Sequence, residues 1–79
     1  MRYCIARFQK NNLDMTYRVY VTDALKLIAE NTSKYAGGSY MKIRFTDIIN
    51  PKPEETRTAD EIITSITDKL RKLQEEDKN

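Results

Sequence analysis

The sequence predicts a small, mostly α-helical domain: three helices behind a short N-terminal element. Three observations predict it. Residues 58–76 carry an apolar stripe behind a capping box, residues 12–33 carry a second apolar stripe, and Gly37-Gly38 and Asn50-Pro51 punctuate the segments between them. A chain of 79 residues allows one domain, residues 1–79, with a core so modest that a partner or a second copy is an expected source of added burial.

The first segment, Met1 to Lys10, is the least defined. Met1, Cys4, Ile5 and Phe8 make a two-turn helical face, yet Tyr3, Ile5 and Arg7 alternate equally well with Cys4, Ala6 and Phe8. Asn11-Asn12 then breaks the pattern. From there, Leu13, Tyr17, Tyr20, Val21, Ala24, Leu25, Leu27 and Ile28 fall within an arc of ~160° on a wheel of ~100° per residue. Asn11 suits the N-cap of such a helix. Met15 and Val19 fall outside the arc. They belong to a competing pattern in which Met15, Tyr17, Val19 and Val21 alternate with Thr16, Arg18, Tyr20 and Thr22, a strand signal rich in β-formers, with a shorter helix from Thr22 or Asp23 to about Asn31. The single stripe favours a helix over 12–33.

Gly37-Gly38-Ser39 reads as a helix stop, a turn and a new N-cap. Tyr40, Met41, Phe45, Ile48 and Ile49 share one side of a helix over 39–49, with Ile43 off it, while Met41, Ile43 and Phe45 also alternate with Lys42, Arg44 and Thr46. Asn50-Pro51 ends the element, because a residue before proline is driven out of the α region. Residues 50–57 form a Pro-containing connector. In the last segment Thr58-Ala59-Asp60-Glu61 is a capping box, and Ala59, Ile63, Ile66, Leu70 and Leu73 repeat at helical spacing, which predicts a helix over 58–76 and a frayed end at 77–79. The alternative architecture is α+β, a small antiparallel sheet with strands near 2–9, 15–21 and 40–46.

Composition narrows the chemistry. The chain has no histidine, one cysteine and two adjacent glycines. Imidazole catalysis, an internal disulfide, the usual zinc-ligand spacings and a glycine-rich phosphate loop are therefore unavailable. Cys4 lacks a base to activate it and is expected in the core. Asp23, Glu30 and Asp47 are dispersed, and Glu54-Glu55 follow Pro53 without a framework that would shift a carboxyl. No catalytic, cofactor-binding or metal-binding residue is assigned, and a non-enzymatic protein is expected. No run approaches the ~20 apolar residues of a membrane span, Arg2, Arg7 and Lys10 interrupt the N-terminus, and a lone cysteine suits a reducing compartment; a cytoplasmic protein is expected.

Charge is uneven: residues 1–52 carry a balance of +5 and residues 53–79 a balance of −3, for a net +2. A basic body attracts anionic partners or docks on the acidic end of another copy. Tyrosine and arginine are enriched at interface hot spots, so Tyr3, Arg7, Arg18, Tyr35, Tyr40, Lys42 and Arg44 form the candidate partner surface. A homo-oligomer or a protein complex is expected first. Nucleic acid is second, because Tyr40, Lys42 and Arg44 on the later helix of a helix-turn-helix would reach only a few phosphates, and a pI near 8.7 is a modest basic footprint.

At Tyr17-Arg18-Val19-Tyr20-Val21-Thr22-Asp23-Ala24-Leu25, Ala29-Glu30-Asn31-Thr32, Gly37-Gly38-Ser39-Tyr40-Met41 and Pro51-Lys52-Pro53-Glu54 with Arg57-Thr58, the chain resembles a group of short uncharacterised proteins. They are encoded in phages and integrated mobile elements of Gram-positive (Firmicutes) gut bacteria. The resemblance covers most of the chain as an overall pattern and assigns no residue a role. It implies a protein of the bacterial host cytoplasm that acts stoichiometrically, as an assembly factor or as an inhibitor of host defence such as an anti-CRISPR protein.

Overall fold

A computed structural model of the chain describes residues 2–31, 35, 38–47 and 52–77. Its first two segments form a β-hairpin. Strand β1 (Tyr3–Lys10) pairs antiparallel with β2 (Leu13–Tyr20) from Tyr3↔Tyr20 to Lys10↔Leu13, leaving Asn11-Asn12 as a two-residue turn. The primed turns that match strand twist need a positive φ at their first central residue, and Asn11 has φ 53°. Asparagine tolerates that region and a β-branched residue does not. Asn11→Val is expected to destabilise the chain by about 1–2 kcal/mol, and Asn11→Gly to leave it unchanged or slightly more stable, as read by urea midpoints.

Helix α1 (Val21–Ala29) follows β2 directly. It starts without a side-chain cap; instead the Val21 N–H donates to the Arg2 carbonyl at 3.0 Å, so the chain just before β1 takes up one of the orphan donors of the first turn. Strand β3 (Lys42–Asp47) then pairs antiparallel with β1, and the two-residue β4 (Thr56–Arg57), entered through the 3₁₀ turn Pro53–Glu55, pairs parallel with β2. The sheet is mixed, in the order β3-β1-β2-β4. Helix α2 (Ala59–Asp77) closes the chain.

The architecture is thus α+β and not a three-helix domain. Where a helix over 12–33 is expected, strand β2 and the nine-residue α1 are found, with 32–33 outside the described residues; where one over 39–49 is expected, residues 42–47 form β3; and the N-terminal element is a strand. Ile48 and Ile49 lie outside the described residues. Burial shows why the helical stripe misled. Met15 and Val19, the two residues outside its arc, are 6% and 0% exposed, whereas Leu25 and Ile28, inside it, are 69% and 52% exposed. Leu13 and Tyr17 are four apart and share a face on either geometry. The helix over 58–76 is observed one residue offset, with its cap as anticipated: the Glu61 N–H donates to Thr58 Oγ1 at 3.2 Å, and the Glu61 carboxylate accepts from the Thr58 hydroxyl rather than from the backbone. The 50–57 connector contains the 3₁₀ turn and β4 in its described part.

Both helices pack on one face of the sheet. Cys4, Ala6 and Phe8 from β1 and Met15 and Val19 from β2 meet Ala24 and Leu27 of α1, Ala59, Ile62 and Ile66 of α2, and Tyr35 and Met41 from the connection before β3. Phe8 lies edge-on to Tyr17 and Tyr35, at centroid distances of 5.8 and 5.9 Å. Lys26 and Asp60 bridge the helices at 2.8 Å.

Candidate functional site

Alternation along the strands sends the other set of side chains to a face that no described element covers. On β1 these are Tyr3, Ile5, Arg7 and Gln9; on β2, Asp14, Thr16, Arg18 and Tyr20; on β3, Lys42, Arg44 and Thr46. Five of the seven candidate partner residues, Tyr3, Arg7, Arg18, Lys42 and Arg44, therefore share one surface. Tyr40 is 80% exposed and lies two residues before β3, at the margin of that surface.

Tyr35 does not belong to it. It is 1% exposed, its hydroxyl donates to the Leu27 carbonyl at 2.5 Å, and burial, with Glu30 adding, pushes its phenol well above the usual range. It is a core residue whose polar end is satisfied internally. Cys4 is buried as expected, and that burial, with Asp47 adding, raises its thiol, the opposite of what an activated nucleophile needs.

The register arranges the face in rows. Tyr3 and Tyr20 are directly opposed, with ring centroids 5.0 Å apart. Ile5 lies between Thr46 and Arg18 in the next row. Beyond it Arg7 lies between Arg44 and Thr16, so two guanidinium-bearing residues oppose each other across β1 and β3, a like-charge placement that opposes folding. Arg7 is held by Asp14 through two bonds, Nε to Oδ1 at 2.9 Å and Nη2 to Oδ2 at 2.5 Å. That bidentate contact keeps the Asp14 carboxyl below its ordinary range. Arg44 and Lys42 have no ion-pair partner among the described residues.

At the opposite edge, Ile5, Thr16, Arg18, Glu55 and Arg57 line an open concavity of about 370 Å³. Arg18 and Glu55 form an ion pair across it, which ties the short β4 segment to β2. The Arg18 Nε is buried without a partner among the described residues. The concavity holds one carboxylate already matched to a guanidinium. Among the described residues, no group of three His, Cys, Asp or Glu is placed to hold a metal ion. No helix among them is long and apolar enough to cross a membrane. An apolar patch, Leu25, Ile28 and Ala29, lies exposed along one side of α1.

Sequence reasoning missed Ile5, Asp14 and Tyr20 as members of the face. The signal was present in the alternating pattern over 15–21, which places Tyr20 opposite Tyr17, and in the Asn11-Asn12 turn, which brings Arg7 and Asp14 into diagonal reach. No family model, curated protein or solved structure matches the chain.

Proposed function

We propose that this chain is a non-enzymatic protein-binding module that acts stoichiometrically through the uncovered face of its sheet. The observation that supports this reading is the gathering of Tyr3, Ile5, Arg7, Arg18, Tyr20, Lys42 and Arg44 on one open surface. Aromatic rings, guanidiniums and a central aliphatic side chain are the chemistry of interface hot spots. Lys42 and Arg44, which have no ion-pair partner among the described residues, favour an acidic partner. The resemblance to phage and mobile-element proteins gives the module its setting: an assembly factor, or an inhibitor of a host defence protein such as an anti-CRISPR, in the bacterial cytoplasm. The second reading is a nucleic-acid-binding protein, which the same cations and the Tyr3–Tyr20 pair favour, since bases stack on aromatic rings. Asp14 and Glu55 on or beside this face weigh against a polyanion.

Capture from a bacterial lysate, with the wild-type chain compared against Arg44→Glu and against Lys72→Glu on the exposed side of α2, tests the reading. A protein retained by wild type and Lys72→Glu but lost with Arg44→Glu supports it. Identical capture profiles for all three chains reject it. A shift assay with single-stranded and duplex DNA at ~50 mM salt, where phosphate attraction is strongest, decides the second reading.

A further inference from the structure

The sheet ends on β3, and no described strand pairs with that edge. An open edge presents unpaired N–H and C=O groups in a row, a template for another strand. What could occupy it is constrained by the side chains on its two faces. Lys42 and Arg44 point to the open face, exposed and without an ion-pair partner among the described residues. Ile43 and Phe45 point to the core side, where both are only half-buried and pack against the core cluster. A strand added here would bring one set of side chains over Ile43 and Phe45 and the alternate set beside Lys42 and Arg44.

We propose that the β3 edge binds an extended segment of a partner protein in which apolar and acidic residues alternate. This rests on the reading of the chain as a protein-binding module. Opposed side chains in a sheet stand about 4.5–5.5 Å apart at Cβ, so an acidic residue facing Arg44 would supply the counter-charge that Arg44 lacks among the described residues, Arg7 on its other side being already paired with Asp14. The apolar residues of the segment would complete the cover over Ile43 and Phe45, and the backbone would supply hydrogen bonds independent of sequence.

A second copy of the chain fits this edge poorly. Side chains must stay on matching faces, so two β3 strands can pair antiparallel only in registers that keep parity. With Arg44 opposite Arg44, or Lys42 opposite Arg44, cations meet. With Phe45 opposite Phe45, Asp47 is brought onto Ile43. Each of these antiparallel registers carries a fault, and the edge is better matched to an acidic strand than to its own copy.

The test uses the full chain and a fluorescein-labelled peptide of roughly eight residues, a typical strand length, alternating valine and glutamate. Fluorescence anisotropy at ~50 mM salt gives affinity, and amide hydrogen exchange locates the contact. The acidic peptide is expected to bind and to slow exchange within 42–47. Replacing its glutamates by lysine, or using Lys42→Glu with Arg44→Glu in the protein, is expected to weaken binding about tenfold or more. Methylating alternate peptide nitrogens is expected to abolish it, because the added strand could no longer donate. The proposal is overturned if the two peptides bind alike, if methylation has no effect, if protection appears away from β3, or if oligothymidylate binds through Lys42 and Arg44 while the acidic peptide does not. Failure of the acidic peptide with Arg44-dependent lysate capture intact removes the edge proposal alone; loss of both removes the module reading as well.

Discussion

Phe8→Ala is expected to cost about 3–5 kcal/mol and to lower the urea midpoint sharply. A chain of this length has a total stability of only roughly 4–12 kcal/mol at the usual value per residue, so the loss consumes a large part of it. Phe8 is 0% exposed on β1, a strand with neighbours on both sides, opposite Met15 on β2 and Ile43 on β3. Its ring meets Tyr17 and Tyr35 edge-on, so removing it deletes two aromatic contacts along with its own burial. The surrounding layers are a hydrogen-bonded sheet and two helices, which relax only partly into the space. Urea denaturation followed by tyrosine near-UV dichroism reads the effect. Phe8→Leu, which keeps most of the volume, is expected to cost less than about 2 kcal/mol. A loss below that value for Phe8→Ala would mean that the sheet collapses onto the cavity and that Phe8 is not the centre of the core.

The parts of this fold that were legible in the sequence are those whose signals are local. Helix α2 carries a capping box and a stripe that helical periodicity alone explains. The hairpin was legible in principle, since Met15 and Val19 alternate with Thr16 and Arg18, but a second periodicity overlay it. Val21, Ala24 and Leu27 do form a helical face in α1 and extend backwards by coincidence onto Leu13 and Tyr17, because a spacing of four is even and satisfies strand and helix alike. Tyr20, three residues from Tyr17, distinguishes the two: one helical face would hold both rings, whereas the strand puts Tyr17 in the core and Tyr20 on the open face. Strand β4 was not legible, since two residues after a proline turn carry no period and their partner is distant in sequence. The candidate face is intermediate. Its arginines and tyrosines stand out singly by residue type, but their assembly on one surface is a consequence of register. Tyr35 shows the limit of residue type as a guide, because a tyrosine suits an interface and a core equally until its hydroxyl finds Leu27.

Asn31 gives the most discriminating prediction, because its side chain acts as a piece of backbone. It is 8% exposed after α1; its Nδ2 donates to the Met41 carbonyl at 2.8 Å, and its Oδ1 accepts from the Met41 N–H at 3.0 Å. Met41 is itself buried just before β3, and this two-bond clasp fixes where the connection from α1 delivers the edge strand. Asn31→Ala leaves a buried donor and a buried acceptor without partners, and is expected to cost about 2–4 kcal/mol at every pH, relative to wild type at the same pH. Asn31→Asp separates hydrogen bonding from shape. When protonated, the introduced carboxylic acid can donate to the Met41 carbonyl and accept from its N–H, reproducing both bonds. When ionised it can only accept, and a buried negative charge then faces a carbonyl oxygen. Its folded-state pKa must therefore rise above the unfolded value of about 3.9. The folded state then holds the proton more tightly, so stability relative to wild type falls as pH rises. The Asn31→Asp chain is expected to match wild type near pH 3 and to fall behind from about pH 4 upward, by about 1.4 kcal/mol for each unit by which the folded pKa is raised. Thermal or urea midpoints of the three chains across pH 3–8 measure this directly. Parallel pH profiles for Asn31→Ala and Asn31→Asp would show that the clasp does not hold Met41, and that β3 is placed by its pairing with β1 alone.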